Sequence, residues 1–182
     1  MKMNANNKIN IETNRLKIRT FEESDYYDLY EYLSDPEIYK FEPGRPLSLP
    51  ECIKVTKERS TGNIFLAIEL KEEKKVIGHL YFYCPEENEF LICELGFITN
   101  RKYQRMNYTS EAASALIKYT FENSYIHRIT AQCNPLNIAS WKLLEKIGMI
   151  REGHLIKNTF FQTDSKGLPV WQDTYLYAIN KE

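Results

Sequence analysis

Residues 90–133 read FLICELGFITNRKYQRMNYTSEAASALIKYTFENSYIHRITAQC, and the fold turns on how this stretch is read. Residues 90–98 are apolar at nearly every position, so both faces of an extended segment there must be covered. Residues 108–121 carry Ala112, Ala115, Leu116 and Tyr119 at helical spacing. Residues 128–133 form a short strand. A strand, a helix and a strand in that order set two parallel strands side by side through a right-handed crossover.

The flanking sequence extends this unit. Residues 64–70 and 76–83 are apolar runs, and the breaks around them are Lys/Glu-rich or hold Pro85 and Asn88, which with 90–98 predicts an antiparallel meander. Residues 15–21 alternate Leu16, Ile18 and Thr20 with charged neighbours, a strand pattern. Ser24 can cap a helix to about Ser34, with Tyr26, Leu29, Tyr30 and Leu33 on one face and Pro36 marking its end. Ser48-Leu-Pro-Glu51 is a capping box with Pro in the first turn, opening a second helix that Gly62 would close. Residues 138–147 are helical, and Gly148 is the natural residue after that helix. Residues 149–156 and 174–179 are the last strands, with a turn at 164–169 between them. The order β-α-α-β-β-β-α-β-α-β-β predicts one domain over 1–182: a mixed α/β (α+β) sheet with helices on both faces.

Composition narrows the function. The 182 residues hold 24 Lys plus Arg against 25 Asp plus Glu, a net charge of -1. That balance argues against nucleic acid as a partner, since such binding rests on phosphate neutralisation. No stretch approaches the roughly 20 apolar residues that span a bilayer, which argues against a membrane partner. Residues 1–10 are polar and lack the apolar core of a secretory signal. The expectation is a soluble, cytoplasmic chain. Cys52, Cys84, Cys93 and Cys133 form no C-x-x-C pair and read as small buried residues with free thiols. His79, His127 and His154 are scattered, so no metal is expected. An aromatic content of 13% permits a homodimer interface without demanding one.

Three segments carry chemistry. Glu94 is the one charge in 90–98. A buried carboxylate is costly unless paired, and burial raises its pKa. An ion pair across the sheet is its commoner use; a general base for an amine is the sharper alternative. Residues 100–111 join strand to helix, and a helix start offers N–H groups and positive dipole to a pyrophosphate. Arg101, Lys102 and Arg105 add positive charge there. In residues 134–148, Asn134 and Asn137 can bond a ligand amide or cap the helix, and Ser140 lies one turn in.

The blocks ELGFI at 94–98, YQRMNYTSEA at 103–112 and NPLNIASWKLLEKIGM at 134–149 resemble, in order, the GNAT superfamily of N-acetyltransferases. The opening TNRLKIR at 13–19, REGHL at 151–155 and WQDTY at 171–175 resemble the branch that acetylates ribosomal-protein N-termini. The likeness implies two central parallel strands splayed at a bulge, with acetyl-CoA as co-substrate in the splay. It implies pantetheine contacts at Phe97 and Ile98, and pyrophosphate on Gln104, Arg105, Met106, Asn107, Tyr108, Thr109 and Ser110. Asn134, Asn137 and Ser140 match positions facing the pantetheine or thioester, and Glu94 matches a strand glutamate that serves as base. By this likeness Glu94 and Ser140 are the catalytic candidates. Two positions depart from the pattern. Arg105 and Asn107 stand where the loop usually has glycine, and Leu144 stands where many members have a Tyr acid.

The implied reaction moves an acetyl group from acetyl-CoA to a primary amine, foremost a peptide N-terminal α-amine. The alternatives are a small amine such as an aminoglycoside, polyamine or amino acid, or a non-catalytic CoA-binding domain. Residues 38–62 and 160–171 would wall the acceptor site, with Tyr39, Phe41, Glu42 and Phe161 as candidates. Glu42 itself reads first as a solvated loop charge, and pairing with a cationic amine is the alternative. Trp171 and Asp173 read as strand packing and a loop contact.

Overall fold

A computed structural model describes residues 9–85 and 87–182. Most of the polar opening stretch, 1–8, lies outside them. The elements are β1 (Asn10–Glu12), β2 (Leu16–Thr20), α1 (Tyr26–Leu33), α2 (Leu49–Ser60), β3 (Phe65–Leu70), β4 (Lys75–Tyr83), β5 (Ile92–Thr99), α3 (Tyr108–Asn123), β6 (Arg128–Cys133), α4 (Ile138–Lys146), β7 (Ile150–Thr159) and β8 (Gln172–Asn180). They form one eight-stranded mixed sheet of order β1-β2-β3-β4-β5-β6-β8-β7. Among the described residues only β5 and β6 run parallel, joined by α3, which is the crossover expected from residues 90–133.

The alternation of side chains along β5 divides the core in two. Cys93 and Leu95 join Leu80 and Phe82 of β4 beneath Ala112, Ala113, Leu116 and Ile117 of α3. On the opposite face Ala67 and Val76 pack under Leu29, Tyr32 and Leu33 of α1 and Cys52 of α2. Helices therefore cover both faces, and Glu94 stands on the α1–α2 side. His79 is fully buried there, bonded through Nδ1 to the Tyr32 hydroxyl at 2.9 Å, and burial holds it well below its ordinary pKa. Gly78 is required where β4 meets the end of β5, because a Cβ would lie 2.4 Å from the Ile98 carbonyl oxygen.

Several expectations are corrected. Residues 10–12 add an edge strand too short to carry a pattern. Ser24 is not a cap: Asp25 accepts from the Glu22 N–H at 2.7 Å and a 3₁₀ turn, Glu23–Asp25, leads into α1. The α2 capping box Ser48/Glu51 forms as read, but the helix ends on Thr61 without a left-handed glycine. Phe90 and Leu91 precede β5 and are exposed, so the apolar run is longer than the strand. Cys84 and Cys93 form a disulfide, since the β4–β5 register sets Tyr83 opposite Glu94 and hence Cys84 beside Cys93. Cys52 and Cys133 are the buried free thiols. No register shift falls on β5; the shifts lie between β3 and β4 at Ile68 and Glu69 and between β7 and β8.

Candidate active site

The two neighbours of β5 hold it unequally. Against β4 it pairs from Glu94 to Thr99. Against β6 it pairs only through Ile92–Arg128, Cys93–Ile129 and Glu94–Thr130. Beyond Glu94 the strands part, because β6 follows β8 as far as Cys133 while β5 follows β4. From Leu95 to Thr99 the β6-facing edge of β5 therefore has no strand partner, and Phe97 and Ile98 lie on it. Unpaired backbone groups at such an edge are available to an amide-bearing ligand.

A cavity of about 330 Å³ opens at this parting. Glu94, Gln132, Cys133, Asn134 and Asn137 line it from the sheet and the start of α4, and Phe41, Glu42 and Phe161 from the loops. Asn134 accepts from the Leu136 N–H and donates to Gln172, both at 2.8 Å, so it braces the wall. Asn137 caps α4, its Oδ1 accepting from the Ser140 N–H at 3.2 Å. Ser140 does not line the cavity. It sits near the Cys133 thiol, which burial pushes up to about 11. Leu144 is fully buried, so no acid takes the place of the missing Tyr there.

Two carboxylates in the cavity, Glu42 and Glu94, have no hydrogen-bond or ion-pair partner among the described residues. No ion pair across the sheet forms for Glu94, and Glu42 is half-buried in the cavity wall instead of fully solvated. Burial alone pushes Glu42 up to about 7. Burial also raises the Tyr81 hydroxyl, with the Glu94 charge adding to it. The signal missed for Glu42 was its setting: it follows a 3₁₀ turn, Pro36–Lys40, that brings residues 41 and 42 over the sheet. Phe41 and Phe161 line the cavity, but Tyr39 turns away and donates to the Leu33 carbonyl at 3.0 Å. Asp173 lines the cavity and accepts from His154 at 2.8 Å and the Lys157 N–H at 2.9 Å, more than the loop contact expected. Trp171 packs on Phe160 and is half exposed.

The loop from β5 to α3 forms the other part of the site. Asn107 precedes α3 with φ 65°, and its side chain does not cap the helix. Its Oδ1 instead accepts from Lys146 at 2.6 Å. Arg105 also takes a left-handed φ of 62°. Both replacements thus keep the backbone that glycine would favour. Gln104 ties the loop to the end of β5 by donating to the Thr99 carbonyl at 3.2 Å, and Thr109 bonds Thr99 through the two hydroxyls. Met106 is half exposed, Tyr108 half-buried, and Ser110 donates to the Asn107 carbonyl at 3.0 Å. Arg15, unnoticed as a site residue within the TNRLKIR block, bonds Glu111 and donates to the Met106 carbonyl at 3.1 Å, fixing the loop. Arg15 and Lys146 edge a second cavity, about 260 Å³, beside Asn107 and Ser110. A helix start left without a side-chain cap, with cations beside it, suits a diphosphate. Among the described residues no cluster of His, Cys, Asp or Glu is grouped to hold a metal.

Comparison with known proteins agrees with this geometry. The acetyltransferase (GNAT) domain family matches residues 15–150. The uncharacterized N-acetyltransferase YnaD of Bacillus subtilis (strain 168) is 36% identical over 96% of this chain and 98% of its own. The [ribosomal protein uS5]-alanine N-acetyltransferase of Escherichia coli (strain K12) is 28% identical over 94% of this chain and 91% of its own. The crystal structure of an acetyltransferase (GNAT family) from Bacillus anthracis superposes with a TM-score of 0.86 at 32% identity, covering 95% of this chain and 99% of that one.

Proposed function

The chain belongs to the GNAT acetyltransferase family, and from that premise we propose that it acetylates the α-amine of a peptide or protein N-terminus. It is an acyltransferase with acetyl-CoA as co-substrate. The observation that carries the reading is the parting of β5 and β6, with an unpartnered carboxylate where it begins. The likeness to a ribosomal-protein-alanine N-acetyltransferase over nearly the whole chain supports the choice of acceptor.

An α-ammonium has a pKa near 8 and must lose a proton before it can attack. Glu94 takes that proton, directly or through water. The free amine attacks the thioester carbonyl, and a backbone N–H on the unpaired edge near Phe97 or Ile98 receives the developing oxyanion. The carbon–sulfur bond then breaks and the thiolate leaves, which a thiol pKa of about 8.5 makes tolerable. Ser140, beside Cys133 and off the cavity lining, acts on the leaving sulfur through a relay water. Asn134 and Asn137 orient the pantetheine arm. Residues 104–110 hold the pyrophosphate, with Arg105 adding charge. As the intermediate collapses the nitrogen sheds a second proton, which passes directly or through water to the thiolate, so the products are an acetylated amine, CoA thiol and the first proton, carried off by Glu94.

The test is a mass shift. Short peptides with free α-amines, incubated with the enzyme and acetyl-CoA, should gain one acetyl group, and the same peptides with blocked α-amines should gain none. Acetylation confined to small amines would overturn the choice of acceptor.

A further inference from the structure

Glu42 is the carboxylate that this mechanism leaves unused. It lines the cavity that also holds Glu94, and no described residue donates to it or pairs with it. The third carboxylate there, Asp173, is already engaged by His154 and the Lys157 N–H. No Lys or Arg lines the cavity, and its remaining polar groups are neutral amides, a threonine pair and a thiol. A desolvated carboxylate without a counter-charge costs free energy that an incoming cation relieves. Its burial is felt as a raised proton affinity, in keeping with an anion site waiting for a cation. Glu42 and Cys133 line the same cavity.

We infer that Glu42 is the specificity-determining residue of the acceptor site: it receives the acceptor as an ammonium ion, so the site selects a cationic primary amine over a neutral group of the same shape. The inference rests on the proposed function only in taking this cavity as the acceptor site. Glu94 then removes the proton from an amine that Glu42 has already placed.

The experiment is calorimetric titration into the enzyme saturated with CoA, which binds without turning over. Three probes are used: a short peptide with a free α-amine, its analogue with hydroxyl in place of that amine, and 1,4-diaminobutane. Glu42→Gln should weaken the cationic probe that binds the parent enzyme by about tenfold, the scale of one charge-assisted hydrogen bond, and leave the hydroxyl analogue unchanged. Glu42→Asp, which keeps the charge, should recover part of the loss. CoA affinity equal to that of the parent verifies the fold of each variant. Equal affinity of E42Q for the cations, an equal loss for the hydroxyl analogue, or no binding of either cation to the parent enzyme overturns the inference. The two proposals separate cleanly. If the diamine binds through Glu42 and no peptide is acetylated, the peptide reading falls and Glu42 stands. If peptides are acetylated and E42Q binds them as the parent does, the reverse holds.

Discussion

Carboxylates serve opposite ends in two regions of this molecule. Between β2, β3 and the turn before α1, Arg19 is held by Asp25 at 2.7 and 2.9 Å and by Glu69 at 2.6 Å, all three largely buried. In the cleft, Glu42 and Glu94 are partly buried with no cation in reach. The first set of charges is satisfied and inert. The second is left unsatisfied at a cost in stability, and it is available for a ligand. For the two strand carboxylates, pairing decides which is which: Glu69 stands where β2 and β3 pair along their length, Glu94 where β5 and β6 begin to part.

The sharpest way to test the cleft side is Glu94→Gln. It should lower turnover by about 10²–10⁴-fold, the usual worth of a positioned general base, with CoA affinity unchanged. The loss should be greatest below pH 8, where the α-amine arrives protonated, and smaller above it. Steady-state kinetics across that range decide the matter, and unchanged kinetics remove Glu94 from the mechanism.

The paired region should fail differently. Arg19→Met leaves Asp25 and Glu69 buried beside each other without their cation, and should cost about 3–5 kcal/mol of stability. Urea unfolding measures it. The protein that remains folded should keep its acceptor KM. A loss of activity at full stability would erase the contrast between the two regions.

Much of this was legible beforehand. The order of strands and helices follows from periodicity and breakers, and β1 escaped because three residues carry no period. Glu94 stood out as the one charge in an apolar run, whereas Asn137 and the glycine-free loop to α3 were marked by the family likeness more than by their own local pattern. That Glu42 would stay without a partner and that Cys84 and Cys93 would pair could not be read, because both depend on register and on how a loop crosses the sheet. Whether a carboxylate has a partner is a tertiary fact, and a local pattern does not contain it.

Glu42 gives the comparison a pH dependence. Its carboxyl titrates near 7 in the fold and near 4.5 in the unfolded chain. Below about 4.5 both states hold the proton and burial costs little. Between 4.5 and 7 the unfolded chain loses its proton first, so stability falls as pH rises, and above 7 the full penalty is present. Glu42→Gln removes it. The variant should therefore be more stable than the parent by on the order of 1–2 kcal/mol at pH 8, allowing for partial exposure to the cavity, with the gain vanishing near pH 4. Thermal unfolding at the two pH values checks the sign. A destabilised variant at pH 8 would mean that Glu42 has a partner in solution and belongs with Arg19, Asp25 and Glu69.

The smallest expected effect lies on the phosphate loop, where the strain is in the backbone instead of a charge. Arg105 occupies a left-handed conformation that costs an L-residue about 1–2 kcal/mol, while glycine there would return about 0.5–1 kcal/mol to the unfolded chain as entropy. Arg105→Gly should therefore stabilise the fold by about 0.5–1 kcal/mol. It also removes one exposed cation beside the helix start, and an exposed charge is worth little, so CoA should bind only a few-fold more weakly. Measuring both quantities on the same variant separates conformation from charge. Stability gained and affinity slightly lost means that Arg105 was kept for the phosphate at the expense of the turn. Affinity that rises instead would mean that the backbone, freed to close on the ligand, matters more than the side chain.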